Sequence, residues 1–125
     1  MFLLDTHSLL WALFNAKMLS PLVATTITTT DNLYISVASL WEIAIKQSLG
    51  KLDIEYTPSE IASFCNQKDI ILLPILASHL DFLKALPPIH KDPFDRLIVA
   101  QAQAENLVVV TKDSNIAKYT VETFW

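Results

Sequence analysis

The sequence predicts an α/β sandwich, a three-layer α/β/α arrangement in which helices cover both faces of a mostly parallel sheet of about five strands. Two observations predict it. Short, wholly apolar segments such as LVVVT at 107–111 alternate with segments whose apolar residues recur every three or four positions. Strands that are apolar throughout are typical of parallel sheets buried between helices. The length, 125 residues, fits a single domain over residues 1–125.

Five segments have the composition of strands. Apolar and β-branched residues dominate each, and IILLP ends at a proline that cannot donate to a sheet. The predicted strands are FLLD at 2–5, LYIS at 33–36, IILLP at 70–74, LVVVT at 107–111 and TVETFW at 120–125.

The segments between the strands have helical spacing and helix-start residues. Ser20, Thr57 and Asp92 each precede a proline, which is typical of a cap residue before the first helical position. Gly50 ends the helix that follows LYIS. The predicted helices cover residues 6–14, from 20 onward, 37–49, 57–66, 76–86 and 92–105, and a turn or short helix covers 115–119. The β-branched residues of TTITTTDN at 25–32 disfavour helix, which leaves the end of the second helix open.

Composition excludes several classes of protein. Hydrophobic residues make up 52% of the chain and the mean hydropathy is +0.38, which indicates apolar surface covered by a partner. Pro74, Gln101 and Gln103 interrupt the longest apolar runs, so no membrane span is predicted, and the first residues lack the basic region of a signal peptide. The single cysteine, Cys65, is expected to be a small buried residue in a reducing cytoplasm.

The net charge of −4 and the pI of about 5.2 argue against a protein that coats nucleic acid. Any contact with nucleic acid is therefore expected to be local or assisted by metal ions.

Four acids are candidates for a site, and each has a structural alternative. Asp5 and Asp113 follow strands, and ligands of parallel sheets bind beyond the carboxyl ends of the strands. Glu42 and Asp95 lie on helices that can pack beside those ends. Alternatively, Asp5 and Asp113 cap helices, Asp95 completes a capped first turn, and Glu42 pairs with Lys46 one helical turn away.

Taken together, four carboxylates at one edge would repel one another unless a cation neutralised them. All-oxygen ligation suits Mg²⁺ or Mn²⁺ rather than zinc. An acidic magnesium cleft is one way to hydrolyse phosphodiesters, and it lets an acidic protein hold a polyanion.

Four motifs, in this order and spacing, carry a family resemblance: LLDTHSLLW, ISVASLWEIAIKQSLGKL, LPPIHKDPFDRLIVAQA and VVVTKDSNIAKY. Together they resemble the PIN-domain proteins, and more narrowly the VapC-like ribonuclease toxins of type II toxin–antitoxin pairs. The resemblance implies a five-stranded parallel sheet, Mg²⁺ or Mn²⁺, and endonucleolytic cleavage of RNA that leaves 5′-phosphate and 3′-hydroxyl ends. It also implies a homodimer, and an antitoxin whose tail blocks the cleft. The segment TTITTTDN departs from the pattern, because the family has helix there.

The resemblance also implies roles for the four acids. Asp5 and Asp95 would be the main metal ligands, Glu42 would bind directly or through water, and Asp113 would hold a second metal or a metal-bound water.

Three further residues are candidates for contact with substrate. Thr111 would hydrogen-bond a ligand carboxylate or the substrate, or be an ordinary strand-end hydroxyl. Arg96 and Lys46 would meet phosphate, or make surface ion pairs.

Other chemistry-bearing side chains receive structural interpretations. The three histidines are poor ligands for hard cations, although His90 is expected in a loop near the cleft. The three tryptophans, Trp11, Trp41 and Trp125, are expected in the core or an interface rather than as platforms for bases.

The functional prediction is a cytoplasmic, metal-dependent endoribonuclease that blocks translation until an antitoxin neutralises it. A dehalogenase-type phosphatase would need a second acid two residues after Asp5, where His7 stands. A receiver domain would need an aspartate after a middle strand, which IILLPIL lacks. A non-catalytic PIN-like binding module, with the acids as helix caps, is the remaining alternative.

Overall fold

A five-stranded parallel sheet forms the centre of the molecule, as predicted. The computed structural model describes residues 1–125. The strand order is β3-β2-β1-β4-β5, and every neighbouring pair is parallel. The strands are β1 (Phe2–Leu4), β2 (Leu33–Ser36), β3 (Ile71–Leu73), β4 (Val108–Val110) and β5 (Thr123–Phe124).

Six α-helices surround the sheet, and the predicted caps are present. Ser20 and Thr57 accept hydrogen bonds from backbone N–H groups three residues on, and Asp92 accepts from those two and three residues on. Two short 3₁₀ helices cover Ala16–Met18 and Ile116–Lys118. The α-helices are α1 (Thr6–Phe14), α2 (Pro21–Thr29), α3 (Val37–Ser48), α4 (Pro58–Gln67), α5 (Ala77–Ala85) and α6 (Pro93–Glu105).

Helix α2 continues through most of the threonine-rich segment, to Thr29, despite its β-branched residues. The Thr25 hydroxyl donates to the carbonyl of Pro21 at 3.0 Å, and that of Thr26 donates to Leu22 at 2.9 Å. Such bonds let threonine satisfy its hydroxyl inside a helix. Val23 is fully buried in the core, so tertiary packing outweighs the unfavourable intrinsic propensity.

Two apolar cores, one on each face of the sheet, create the three layers. Alternate residues of a strand point to opposite faces. Leu3 and Val109 therefore pack on the face covered by α5 and α6, whereas Leu4 and Val110 pack on the face covered by α1 to α4. Cys65 is buried in the second core, and burial raises the pKa of its thiol to about 11, as expected for a small apolar residue.

The register places the ends of three strands side by side. Leu4 of β1 pairs with Ile35 of β2 and with Val110 of β4. The residues that follow these positions, Asp5 and Thr111 among them, therefore emerge at one edge of the sheet. No helix has the length and apolar composition needed to cross a membrane.

Candidate metal centre

Asp5 is held at the carboxyl end of the central strand by two protein donors. Its side chain is almost completely buried. Oδ1 accepts from the backbone N–H of Ser8 at 2.8 Å, so Asp5 does cap α1. Oδ2 accepts from the Thr111 hydroxyl at 2.5 Å, which ties β1 to the end of β4.

Glu42 is equally enclosed on α3. Oε1 accepts from the Thr6 hydroxyl at 2.6 Å, and Oε2 accepts from Lys46 Nζ at 2.6 Å. The hydrogen bond to Glu42 raises the pKa of Lys46, so Lys46 supplies a permanent positive charge here. We call Asp5 and Glu42 the buried pair, because protein donors engage every one of their carboxylate oxygens.

Asp95, Asp113 and His90 form a second cluster, which we call the rim group. Asp95 lies in the first turn of α6, Asp113 follows β4, and His90 lies in the loop before Asp92. His90 Nε2 is 3.1 Å from Oδ2 of Asp95 and 3.1 Å from Oδ2 of Asp113. The backbone N–H of Asp92 donates to His90 Nδ1 at 3.1 Å, so Nε2 carries a proton and faces the two carboxylates.

Hydrogen bonds connect the two sets. The Thr111 hydroxyl that donates to Asp5 also accepts from the backbone N–H of Asp113 at 3.0 Å. From Asp113, His90 continues the path to Asp95. Three of the four predicted acids thus lie along one polar path, and Glu42 joins the site through Thr6, the residue after Asp5.

The electrostatics of the rim group show that the acids are close enough to influence one another. Burial, followed by the nearby carboxylates of Asp92, Glu42 and Asp5, raises the pKa of Asp95 to about 7, against a lowering by His90. Burial also pushes the pKa of Asp113 upward, but the Asn115 N–H and His90 outweigh it, so the net pKa is lowered.

The donor set fits a hard divalent cation. The Asp95 carboxylate accepts no hydrogen bond from a backbone or hydroxyl donor and has His90 as its sole ion-pair partner. One ligand atom from each member of the rim group lies within 4.8 Å of the others. Carboxylate oxygens suit Mg²⁺ or Mn²⁺, and a cation there would offset the burial and the repulsion that together raise the pKa of Asp95. His90 was expected near the cleft, but its place between two acids was not anticipated from the sequence.

The three candidates for substrate contact have different surroundings. Thr111 binds the Asp5 carboxylate, which is one of its two predicted uses. Lys46 pairs with Glu42, in keeping with its structural alternative. The Arg96 guanidinium donates to the carbonyl of Pro87 at 2.9 Å and to the Tyr119 hydroxyl at 3.1 Å, so it braces the loop before α6 rather than facing the acids.

Trp41 lies outside the core, because the residue is 54% exposed, and its alternative place in an interface stays a prediction. It contacts Phe94 edge-to-face with ring centroids 4.9 Å apart. These rings immediately precede Glu42 and Asp95, so two aromatic side chains border the acids. Trp11 and Trp125 pack against each other with centroids 5.7 Å apart beside the second core.

Comparison with known proteins identifies the family to which this fold belongs. The family model of the PIN domain matches residues 2–122. The chain belongs to the PIN domain family. Among solved structures, the PIN chain resembles FitAcB from Neisseria gonorrhoeae with a TM-score of 0.71 and 16% sequence identity, over 100% of this chain and 97% of that one. A search for relatives among curated proteins found no match.

The family assignment confirms the predicted fold and resemblance. PIN domains are generally metal-dependent nucleases, and the acidic cluster of this PIN domain is in keeping with a divalent metal. The likeness to FitAcB, at 16% identity, supports the fold alone.

Proposed function

We propose that this PIN domain is a Mg²⁺- or Mn²⁺-dependent endoribonuclease. One observation carries the proposal: four carboxylates, contributed by two strand ends and two helices, lie at one sheet edge, where burial and the charges of Asp92, Glu42 and Asp5 raise the pKa of Asp95 to about 7. Asp92 is the cap of α6, but helix capping alone would not bring Glu42 and Asp5 close enough to raise that pKa as well.

Asp95 and Asp113 would bind the cation most directly, with Asp5 and Glu42 behind them, whereas the family resemblance implies Asp5 and Asp95 as the main ligands. When bound, a divalent cation lowers the pKa of a coordinated water and stabilises negative charge on a phosphodiester. The protein's own contribution is positional. Thr111 and Ser8 N–H hold the Asp5 carboxylate, and Thr6 and Lys46 hold that of Glu42.

The biological role that we propose is that of a toxin in a type II toxin–antitoxin pair, acting in the cytoplasm by cutting RNA and blocking translation. The four sequence motifs and the family membership support it. An antitoxin that covers the acids would silence the enzyme.

A homodimer is proposed as well, and the surface supports it. The edge strand β3 exposes Ile71 and Leu72, and the segment that follows exposes Leu76 and Leu80, each by more than 40%. A second copy covering such a patch would remove it from water. Light scattering of the purified protein should give twice the mass of one chain.

A second candidate function, a binding module without catalysis, is favoured by one observation: Asp5 does cap α1 through Ser8 N–H. Metal binding separates the two functions. A module whose acids are only caps would bind no divalent ion specifically.

The deciding experiment is cleavage of structured RNAs by purified protein, in Mg²⁺, in Mn²⁺ and in EDTA. Wild type should give discrete cuts that need metal. Folded Asp5→Asn and Asp95→Asn proteins should lose about three orders of magnitude in rate, the effect of losing about 4 kcal/mol of transition-state stabilisation. Asp81→Asn, an exposed acid on α5, is the matched control and should cut like wild type.

Cutting that persists in Asp5→Asn and Asp95→Asn would place the activity elsewhere or in a contaminant. Absence of both cutting and Mn²⁺ binding in wild type would favour the binding module. Growth arrest on induced expression of wild type, but not of Asp95→Asn, would test the toxin role.

A further inference from the structure

A buried polar network joins the two helices that carry Glu42 and Asp95, at a distance from the acids themselves. Its centre is Gln101, a fully buried residue six positions beyond Asp95 on α6. Its neighbours along the helix, Leu97 to Ala102, are otherwise apolar and buried. A glutamine in such a position carries a desolvation cost that an apolar residue would not.

Every polar atom of the Gln101 amide has a partner. Oε1 accepts a short hydrogen bond from the hydroxyl of Ser36. Nε2 donates to the carbonyl of Pro74 at 3.2 Å and lies 3.4 Å from His79 Nδ1. The oxygen thus faces a hydroxyl and the nitrogen faces two acceptors, which fixes the orientation of the amide.

Ser36 connects this network to Glu42. It is the last residue of β2 and the N-cap of α3, and its oxygen accepts from the backbone N–H of Ala38 at 2.9 Å. Because that oxygen already accepts, its proton is free to donate to Gln101. The start of α3 is therefore tied directly to α6.

His79 fixes the other side of the amide. Its ring is completely buried on α5, and Nδ1 accepts from the backbone N–H of Leu76 at 3.0 Å. Nε2 therefore carries the proton, and it lies 2.8 Å from Oε1 of Glu105. Both ring nitrogens are engaged, so His79 and the Pro74 carbonyl hold Gln101 from the side opposite Ser36.

We propose that Gln101 is a positioning residue that, through Ser36, sets the placement of the Glu42 carboxylate relative to that of Asp95. This rests on the proposed metal centre and goes beyond it, since neither residue touches the acids. A fully satisfied buried network favours one arrangement of the helices over the alternatives that apolar packing permits. Groups that hydrogen-bond metal ligands alter metal affinity by orienting those ligands, and Gln101 would act one step further out, through the start of α3.

The test is Mn²⁺ affinity, measured by calorimetry on folded protein, together with kcat and KM on RNA. Gln101→Met keeps the length of the side chain and removes the network. Mn²⁺ binding should weaken by about 10-fold or more, and kcat should fall while KM for RNA stays nearly constant. Ser36→Ala breaks the same link from α3 and should give the same pattern. The double variant should be no worse than the single ones, because both remove one connection.

Two controls separate positioning from loss of stability. Gln103→Met removes an amide of the same helix, whose Nε2 donates to the Thr120 carbonyl at 3.3 Å and has no link to α3. Leu107→Val trims the same core before β4 without removing a polar atom of the network, and lowers thermal stability. Both should keep the Mn²⁺ affinity and kcat of wild type.

The outcomes distinguish this proposal from the one on which it rests. Wild-type Mn²⁺ affinity and kcat in folded Gln101→Met and Ser36→Ala would overturn the positioning role and leave the metal centre intact. Equal weakening in Leu107→Val would also overturn it, because general destabilisation would then explain the result. Wild-type protein that binds no Mn²⁺ would overturn the metal centre, and the positioning role with it.

Discussion

The buried pair and the rim group solve the problem of holding carboxylates together in opposite ways. The oxygens of Asp5 and Glu42 all accept hydrogen bonds from donors at 2.5–2.8 Å. Asp95, by contrast, has a raised pKa and only an imidazole as its polar partner. The protein itself stabilises the charges of the buried pair, whereas the charge of Asp95 is left for a cation to neutralise.

This difference has a physical consequence for metal binding. Ligands whose positions are already fixed lose little entropy when a cation binds, while the repulsion that Asp92, Glu42 and Asp5 exert on Asp95 is relieved at that moment. Part of the free energy of metal binding would therefore come from relief of the electrostatic repulsion that the metal-free protein carries. Removing an acid should then have opposite effects on stability in the two regions.

The largest expected effect is on stability at alkaline pH. The pKa of Asp95 rises from 3.8 to about 7 on folding. The contribution of Asp95 to the unfolding free energy is therefore fully present below pH 4 and is lost as the pH rises through 7. In EDTA at pH 8, Asp95→Asn should stabilise the protein by on the order of 3 kcal/mol. At pH 4 it should have almost no effect. Urea denaturation at both pH values measures this.

Asp5→Asn is the matched comparison, and it should destabilise the protein at pH 8 by about 1–2 kcal/mol. An amide cannot accept from both Ser8 N–H and the Thr111 hydroxyl as the carboxylate does. If the two variants shifted stability in the same direction, the distinction between the buried pair and the rim group would be wrong.

The next effect concerns the hydroxyl that connects the two regions. Thr111→Val keeps the shape of the side chain and removes its bonds to Asp5 and to the Asp113 N–H. We expect a loss of about 10- to 100-fold in cleavage rate, since orientation of a metal-binding carboxylate is lost. Thr120→Val, an exposed threonine after α6, is the control and should have no effect. An active Thr111→Val enzyme would show that Asp5 needs no such support.

A smaller effect is expected for His90. His90→Asn retains an acceptor near Asp92 N–H and removes the Nε2 contact with Asp95 and Asp113. In EDTA at pH 6 the unfolding free energy should fall by about 1 kcal/mol. Saturating Mn²⁺ should reduce this difference in unfolding free energy, because the cation would replace His90 as the positive partner of the two carboxylates.

The pH dependence gives an internal check on His90. The pKa of Asp113 is lowered partly by His90, so its stabilisation is present above pH 3.8 and is lost as the pH falls further. The deficit of His90→Asn should therefore shrink below about pH 4. If His90→Asn lowers the unfolding free energy equally at pH 3 and pH 6, lost packing rather than the contact with Asp113 would explain the loss.

The sequence predicts the sheet and the acids because both depend on local patterns. Apolar strand segments and cap-proline pairs such as Asp92–Pro93 are read within a few residues, and the family motifs place Asp5 and Asp95. The extent of helix α2 was harder to predict. Its threonine hydroxyls donate to carbonyls of the same helix and Val23 packs in the core, and neither contact is evident from the sequence.

The role of His90 depends on contacts that no local pattern contains. His90 lies 23 residues from Asp113 in the chain, in a loop whose path is set by Tyr119, whose hydroxyl accepts from the His90 N–H at 2.7 Å. The same holds for Gln101, which appears in the sequence as an ordinary interruption of an apolar helix. Its link to Ser36 spans 65 residues.

The smallest effect is expected for Lys46, and it tests whether every donor to the buried pair matters. The Lys46 side chain is 38% exposed, so solvent screens its ion pair with Glu42. Lys46→Met should cost about 0.5 kcal/mol of stability, less at high salt. The KM for RNA should stay unchanged, as in the control Lys51→Met on the nearby exposed turn. A KM that rises in Lys46→Met alone, and more steeply in low salt, would instead assign Lys46 to a phosphate of the substrate. Thr6 would then be the one donor that holds Glu42 during cleavage, and the buried pair would be less rigid on the side of α3 than on that of β1.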